Sequence, residues 1–128
     1  QTDLINNGDQ GLFANPAVNT NAARGRFRVP TLRNVAVTGP FMHNGTFANL
    51  QTVIHFYDHQ GGNNNRRPIN PETNQPWGNP EVNNVSNQLN MRPLNNNDVN
   101  NLECFLRTLT DTQFEEDLPA LRAGLNCS

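Results

Sequence analysis

The sequence predicts a mainly α fold in which a few short helices are joined by long irregular loops. Apolar residues recur at helical spacings in three stretches only, and 24 of the 128 residues are Asn, which favours turns and caps over helix interiors. Hydrophobic residues make up 34% of the chain, so the apolar core is thin. We therefore expect a ligand or another polypeptide to supply the missing apolar volume.

Three helices are predicted from this periodicity. The first runs from Ala48 to His59, ends at Gly61-Gly62 and carries on one face Leu50, Val53, Ile54 and Tyr57. The second runs from about Asp98 to Thr110, with an Asn cap at 96 or 97 and an apolar stripe of Val99, Leu102, Phe105, Leu106 and Leu109. A third is expected from about Gln113 to Leu125, shortened or divided by Pro119.

The stretch from Gln60 to Leu94 lacks periodicity and is rich in Asn, Pro, Gly and Arg. A connection of this length is more often a functional or partner-covering loop than a packed element. It holds the single Trp of the chain, Trp77, for which two interpretations stand: a packing anchor, which is the commoner case, or a relay for electron holes.

Charge and length exclude several classes of function. With 9 Arg, no Lys and a formal charge of -2, the chain has no basic footprint for nucleic acid or anionic membranes. No apolar run is long enough to span a membrane. The two cysteines, Cys104 and Cys127, match neither a haem attachment motif nor a zinc site. The favoured interpretation is a disulfide, which implies an oxidising compartment; the alternative is a buried Cys104 thiol and a Cys127 in a mobile tail.

Chemistry-bearing residues are concentrated between Gly25 and Gly62, in the segment GRFRVPTLRNVAVTGPFMHNGTFANLQTVIHFYDHQGG. Arg26, Arg28 and Arg33 suit bidentate recognition of carboxylates, including haem propionates. Met, His and Tyr, all known axial ligands of haem iron, are present as well. An apolar wall is available from Phe27, Val29, Pro30 and Leu32. The plainer alternative is that Arg26 and Arg28 form a solvated face and Tyr57 is a core residue of its helix.

The order of these residues resembles the C-terminal haem domain of the bacterial di-haem cytochrome c peroxidase and MauG family. The segment FRVPTLRNVAVTGPFMHNG, the helix ending in FYDHQGG, and the later LNNNDVNNLECFLRTLTD are similar to successive motifs of that family. The resemblance covers about Arg24 to Asp111. It implies a partial cytochrome c-like haem lobe: residues 24–62 form the haem-pocket motif and ligand helix, 63–94 an Asn/Pro-rich insertion loop, and 95–128 the closing helices and tail.

The resemblance also implies roles for individual residues. Tyr57, fourteen residues beyond His43, occupies the position of the sixth ligand of the C-terminal haem, where MauG-like members carry Tyr and reductively activated peroxidases carry Met. Met42 is the alternative ligand, although packing in the core is the more common role of such a residue. His43 corresponds to the family's turn histidine, which acts in the catalytic cycle by hydrogen-bonding a propionate or tuning electron transfer.

Two further kinds of site follow from the same resemblance. Thr38 and Pro40 match positions whose backbone carbonyls help to bind calcium, a hard cation that prefers oxygen ligands. Arg33 is the best propionate candidate, and Arg26 and Arg28 follow it. Phe27 and Pro30 remain candidates for the apolar wall beside the haem.

The chain contains no CxxCH motif, so the haem c that this comparison implies is attached to polypeptide outside it. The chain is therefore expected to be a C-terminal fragment cut before Gln1, or a subunit that completes a partner's haem pocket. The implied function is a periplasmic or otherwise exported oxidoreductase, in which peroxide drives electron transfer to a substrate protein or from a small electron-donor protein. The alternative is a non-catalytic, Asn-rich extracellular binding or scaffold module with a degenerate haem-lobe fold.

Overall fold

The computed structural model describes residues 9–18, 20–62, 66–78, 91–117 and 127. Within them lie two α-helices, α1 (Leu50–Gly61) and α2 (Asn96–Thr108), and a two-stranded antiparallel sheet of β1 (Ile69–Asn70) and β2 (Gln75–Pro76). Short turns of 3-10 helix account for the remaining regular structure at Leu12–Ala14, Pro16–Val18, Asn21–Ala23, Val35–Val37 and Thr112–Asp117. The mainly helical, loop-rich fold is therefore confirmed.

The chain divides into two compact units, of which the first contains Gln1–Pro30 and Gly78–Gln88 and the second Thr31–Trp77 and Leu89–Ser128. In the first unit the three 3-10 turns are closed by a parallel bridge between Gly11 and Arg26. The N–H of Leu12 donates to the Arg26 carbonyl at 2.8 Å. A Cβ at residue 11 would lie 2.3 Å from that same carbonyl oxygen, so the bridge requires Gly there.

Helix α1 begins where a side chain from the sheet loop caps it. The Glu72 carboxylate accepts the N–H groups of Ala48 at 3.1 Å and Asn49 at 2.8 Å, which precede the first helical residue. The helix ends at Gly61 and is followed by the C-cap Gly62, where a Cβ would lie 2.2 Å from Nε of Arg66. The predicted helix is confirmed, and its observed bounds are displaced by two residues toward the C-terminus.

Helix α2 starts with a capping box. The Asn95 side chain accepts from the Asp98 N–H at 2.9 Å, and the Asp98 side chain accepts from the Asn95 N–H at 3.0 Å. The second predicted helix is thus confirmed, with Asn95 as its cap rather than residue 96 or 97.

The predicted apolar stripe of α2 does not form its buried side as a whole. Val99 is 2% exposed, but the other buried residues of this helix are Glu103 and Arg107, whereas Phe105 is 56% exposed and Leu102 is also exposed. Polar groups take the inner positions because Arg107 Nη2 donates to Glu103 at 2.6 Å and Gln51 of α1 donates to the same carboxylate at 3.4 Å. The contact between the helices therefore combines an apolar residue with a satisfied buried carboxylate.

Part of the Asn-rich stretch packs against α1 instead of forming a free loop. The Trp77 ring makes edge contacts with Phe47 and Phe56 at centroid distances of 5.7 and 5.5 Å, and it stacks on His59 at 5.9 Å. Its indole N–H donates to the Arg67 carbonyl at 2.6 Å. The packing interpretation of Trp77 is confirmed, and residues 63–65 and 79–90 of the stretch lie outside the described part.

The C-terminal region is described only in part. Residues 112–117 form a 3-10 helix, and residues 118–125 of the third predicted helix lie outside the described residues. Cys127 forms a disulfide with Cys104 of α2, at a Cα–Cα distance of 5.6 Å, so the predicted pairing is confirmed. No helix in the described ranges combines the length and apolar character needed to cross a membrane.

The Glu72 cap makes stability depend on acidity. Burial alone raises the pKa of Glu72, but hydrogen bonds from Thr52 and from the 48–49 backbone hold it below its ordinary value of 4.5. The stabilisation is therefore complete above about pH 4.5 and is lost as pH falls through the lower, folded-state pKa. We expect Glu72→Gln to lower the free energy of unfolding by about 1 kcal/mol at pH 7. Urea titrations at a series of pH values should show this difference shrinking in acid; a difference independent of pH would contradict the assignment.

The disulfide closes a loop between residues 23 positions apart. The chain-entropy relation gives a stabilisation of about 3 kcal/mol for a loop of this length. We expect the double variant Cys104→Ser and Cys127→Ser to lose that amount in urea unfolding. The oxidised wild type treated with a reductant is the matched comparison, and equal midpoints before and after reduction would show that the bond contributes nothing.

Candidate functional site

Tyr57 lies in the third turn of α1 with its side chain 40% exposed. The alternative interpretation of Tyr57 as a core residue is therefore wrong. Its ring makes an edge contact with Phe56 at 5.9 Å, and none of the described residues forms a hydrogen bond with its hydroxyl. The phenol oxygen is thus available to an external partner, and the ring lies at the edge of a packed aromatic cluster.

The next residue, Asp58, has the opposite environment. It is 1% exposed, and both carboxylate oxygens are engaged. Oδ1 accepts from Arg66 Nη1 at 3.0 Å and from the Leu94 N–H at 3.3 Å, and Oδ2 accepts from Arg67 Nε at 2.9 Å. A buried carboxylate with two guanidinium partners and a backbone donor has its desolvation largely compensated.

Each of the two guanidinium groups is bonded further. Arg66 Nη2 donates to the carbonyls of Gly61 at 2.6 Å and Met91 at 2.7 Å. Arg67 Nη2 donates to the carbonyl of Leu94 at 3.0 Å and to Oδ1 of Asn96 at 3.2 Å. The Asp58 network, which we define as Asp58, Arg66 and Arg67, therefore joins the end of α1 to the segment that leads into α2.

Two histidines of α1 flank this network. Arg67 Nη1 lies 3.3 Å from Nε2 of His55 and can only donate, so Nε2 accepts and the ring proton sits on Nδ1. Burial and then the charge of Arg67 lower the pKa of His55, outweighing the opposite effects of Asp58 and Glu103, so the ring is held neutral. His59 donates through Nδ1 to the Arg66 carbonyl at 2.6 Å.

The turn that contains Met42 and His43 is closed by a bridge between Phe41 and Phe47. The Phe41 N–H donates to the Phe47 carbonyl at 2.7 Å, and the Gly45 N–H donates to the Met42 carbonyl at 3.1 Å. Met42 is half-buried at φ 69°, and His43 is exposed.

The calcium candidates lie just before this turn. Thr38 is exposed, and its hydroxyl donates to the Val35 carbonyl at 3.3 Å; Pro40 is also exposed. Within the described ranges, no three His, Cys, Asp or Glu side chains are grouped so that they could hold a metal ion.

The two family-like motifs meet at Asn34 and Asp111. The Asn34 side chain donates to Asp111 Oδ2 at 3.0 Å and accepts from the Asp111 N–H at 2.7 Å, while the Asn34 N–H donates to the Leu109 carbonyl at 2.9 Å. Asn34 has φ 59°, a left-handed conformation that Asn tolerates better than most residues. The exposed Arg33 precedes it and lines an open cavity of about 390 Å³ that is also bounded by residues 108–111.

The remaining candidates belong to the first unit. Arg26, Phe27 and Arg28 are all exposed and line a second open cavity of about 330 Å³, and Pro30 is also exposed. Arg33, Thr38, Pro40, Met42, His43 and Tyr57 belong to the second unit. The structure therefore brings Arg26, Phe27 and Arg28 together at one cavity.

Sequence reasoning did not identify Asp58, Arg66 or Arg67 as part of the site. Asp58 reads as an ordinary polar residue near a helix end, and the two arginines stand in a stretch without periodicity. The available signal was an acidic residue on the apolar side of α1, four residues after Ile54, which demands a buried cation.

Comparison with known proteins gives the following relatives; no family model matches the chain. Methylamine utilization protein MauG from Paracoccus denitrificans is 46% identical over 119 residues, which are 91% of this chain and 31% of that protein. Cytochrome-c peroxidase IdrP1 from Denitromonas iodatirespirans is 58% identical over 38 residues, or 30% of this chain and 10% of that protein. A second MauG, from Methylorubrum extorquens, is 40% identical over 48 residues, 38% of this chain and 13% of that protein. The chain thus spans about a third of the first relative's length.

The Asn34–Asp111 contact gives a prediction that separates backbone from side-chain effects. Asn34→Gly removes the two side-chain hydrogen bonds with Asp111 and keeps the left-handed conformation accessible, so we expect a loss of about 1–2 kcal/mol in the free energy of unfolding. Asn34→Ala adds the strain of a left-handed Ala, roughly 1 kcal/mol more. Thermal or urea unfolding of both variants tests this order, and an Ala variant as stable as the Gly variant would contradict it.

Proposed function

Because the chain belongs to the bacterial di-haem cytochrome c peroxidase and MauG family, we propose that it is the C-terminal part of a MauG-like di-haem oxidoreductase. In this proposal the chain forms part of a cytochrome c-like haem lobe, and Tyr57 supplies the sixth ligand of the haem held there. One observation carries the proposal: the phenol of Tyr57 is exposed, whereas the next residue of the same helix, Asp58, is buried and paired.

The chemistry of the available donors fits a haem. A Tyr oxygen is an established axial ligand of haem iron, and this phenol is exposed and without a hydrogen-bond partner among the described residues. An anionic oxygen is a harder donor than a thioether and favours oxidised iron, which distinguishes Tyr57 from the alternative ligand, the half-buried Met42. When bound, haem supplies the redox and peroxide chemistry, and the protein supplies the ligand, the potential and access.

Other side chains take supporting roles in the same proposal. Arg33 is exposed at its cavity and would hold a propionate carboxylate; Arg26 and Arg28 are further candidates because their guanidinium groups are exposed. His43, exposed in the 41–47 turn, would bond a propionate or tune electron transfer. The apolar wall beside the cofactor would come from Phe27 and Pro30.

The carbonyls of Thr38 and Pro40 are proposed as protein ligands of a calcium ion, whose remaining ligands lie outside this chain. Backbone oxygens suit this hard cation. The covalent attachment of the haem likewise requires a CxxCH in other polypeptide, either the N-terminal portion of the same protein or a companion chain. The chain's span of 31% of the MauG relative is consistent with this arrangement.

For the whole protein we propose a peroxide-driven oxidation in the periplasm. Peroxide would accept electrons at a haem outside this chain, and the oxidising equivalents would pass to side chains of a partner protein. The second candidate is a peroxidase reduced by a small cytochrome or cupredoxin, which the short matches to the cytochrome-c peroxidases favour. The Cys104–Cys127 disulfide supports an oxidising, exported location.

Replacement of the phenol tests the ligand. In the full-length haem-loaded protein, Tyr57→Phe should convert the ferric low-spin signal of one haem to high-spin, measured by electron paramagnetic resonance and absorption. Met42→Leu is the matched control and should leave that signal unchanged. An unaltered spectrum in Tyr57→Phe would falsify the assignment, and a colourless wild type without any copurifying haem polypeptide would instead favour a scaffold module.

A further inference from the structure

We propose that Asp58 is the positioning residue for the Tyr57 phenol and that it acts through Arg66 and Arg67. This inference rests on the proposed function of Tyr57 as a haem ligand. It adds the groups that orient the phenol. Three features of the structure lead to it.

The first feature is how little holds Tyr57 directly. Its side chain is 40% exposed, its edge contact is with the adjacent Phe56, and no described residue hydrogen-bonds its hydroxyl. The direction of the phenol therefore depends on the rotation of α1 about its own axis. Consecutive side chains of an α-helix point about 100° apart, so a neighbour that is fixed in place also fixes the direction of Tyr57.

The second feature is that Asp58 is such a neighbour. It is 1% exposed and its two oxygens accept from two arginines at 3.0 and 2.9 Å and from the Leu94 N–H at 3.3 Å. Rotation of α1 would pull this carboxylate away from three donors at once. The cost would be high because the charge is buried.

The third feature is the reach of Arg67. Arg67 bonds Asp58 through Nε and approaches His55 Nε2 at 3.3 Å through Nη1. It therefore contacts α1 at one residue that precedes and one residue that follows Tyr57 in the sequence. Its other amino group bonds Leu94 and Asn96, the latter the first residue of α2. Arg66 bonds the Gly61 and Met91 carbonyls in parallel. These hydrogen bonds fix the position of the α1 segment that carries Tyr57 relative to the start of α2.

The composition of the network also favours a positioning role over stability alone. A well-packed apolar cluster would stabilise such a contact at least as well as a buried ion network, because it avoids desolvating three charges. Directional bonds define a single rotation of the helix, whereas apolar contacts tolerate several. A ligand that must point at one atom requires the former.

The test uses Asp58→Asn in the full-length, haem-loaded protein, with Asp98→Asn as the matched control. Asp98 also pairs with an arginine, at 2.9 Å, but it lies at the start of α2, and its side-chain hydrogen bonds within the described residues go to Arg92 and Asn95. Loss of an outer-shell partner typically weakens metal ligation about 10–100-fold. We expect at least a roughly tenfold rise in the high-spin to low-spin ratio for Asp58→Asn and no change for Asp98→Asn.

Two further measurements separate positioning from loss of structure. Added imidazole should restore a low-spin signal in Asp58→Asn, because this variant keeps the haem-binding site and changes only the orientation of the phenol. If Asp58→Asn fails to retain haem, Arg67→Lys decides: it keeps a charge beside Asp58 but cannot contact His55, Leu94 and Asn96 together. A folded Asp58→Asn or Arg67→Lys with the wild-type spin state and midpoint potential would overturn the proposal.

The outcomes also distinguish this inference from its premise. If Tyr57→Phe leaves the spectrum unchanged, Tyr57 is no ligand and the proposed function fails together with this inference. If Tyr57→Phe becomes high-spin while the folded network variants keep the wild-type spectrum and potential, the ligand assignment stands and only the positioning role of Asp58 is rejected.

Discussion

The buried carboxylate of Asp58 is the constraint on which the second unit depends. Its partners come from the loop after α1, and a backbone donor comes from the segment before α2, so one charge gathers three parts of the chain. Removing one partner of a buried ion pair costs about 3–5 kcal/mol, because the other is left uncompensated. Arg66 and Arg67, which bond this carboxylate, also donate to the carbonyls of Gly61 and Leu94, and the Trp77 indole donates to the Arg67 carbonyl.

Polar contacts join these parts of the chain because the described hydrophobic core is small. Its buried hydrophobic residues are Ala23, Ala36, Phe47, Leu50, Ile54 and Val99, two of which are alanines. Large side chains that would ordinarily enlarge a core, such as Leu32, Leu102 and Phe105, are exposed instead. The balance is made up by directional interactions: the Glu72 cap, the Asn34–Asp111 contact, the Asp58 network and the disulfide. Such a fold is defined more by geometry than by buried area, which is why charge-changing substitutions should matter more here than the loss of a methyl group.

The sequence was sufficient to predict what depends on local pattern. Helical spacing placed α1 and α2 to within two residues, because caps and glycine stops are encoded next to the helices they end. Contacts between distant residues could not be predicted in this way. Asn34 and Asp111 are 77 residues apart, and Glu72 caps a helix that begins 22 residues earlier. The prediction of a buried apolar stripe on α2 failed for a related reason. Periodicity shows that a helix has two sides, but it cannot show that Glu103 and Arg107 pair with each other and become buried.

At the candidate site, too, the sequence predicts a residue but not the surroundings of that residue. Motif order predicted Tyr57 as a candidate ligand, but the exposure of its side chain depends on where the residue lies around α1. Ile54 is buried, and Tyr57 is displaced from it by about 60° around the helix, and from the buried Asp58 by about 100°. Tyr57 therefore lies at the margin of the buried side of α1, where its ring makes an edge contact with Phe56 and the residue remains 40% exposed. A residue deeper in that side would be satisfied internally, and one farther out would lose more side-chain entropy when a ligand bond formed. A margin position next to a rigidly bonded residue combines exposure with order, which is the combination that an oxygen ligand requires.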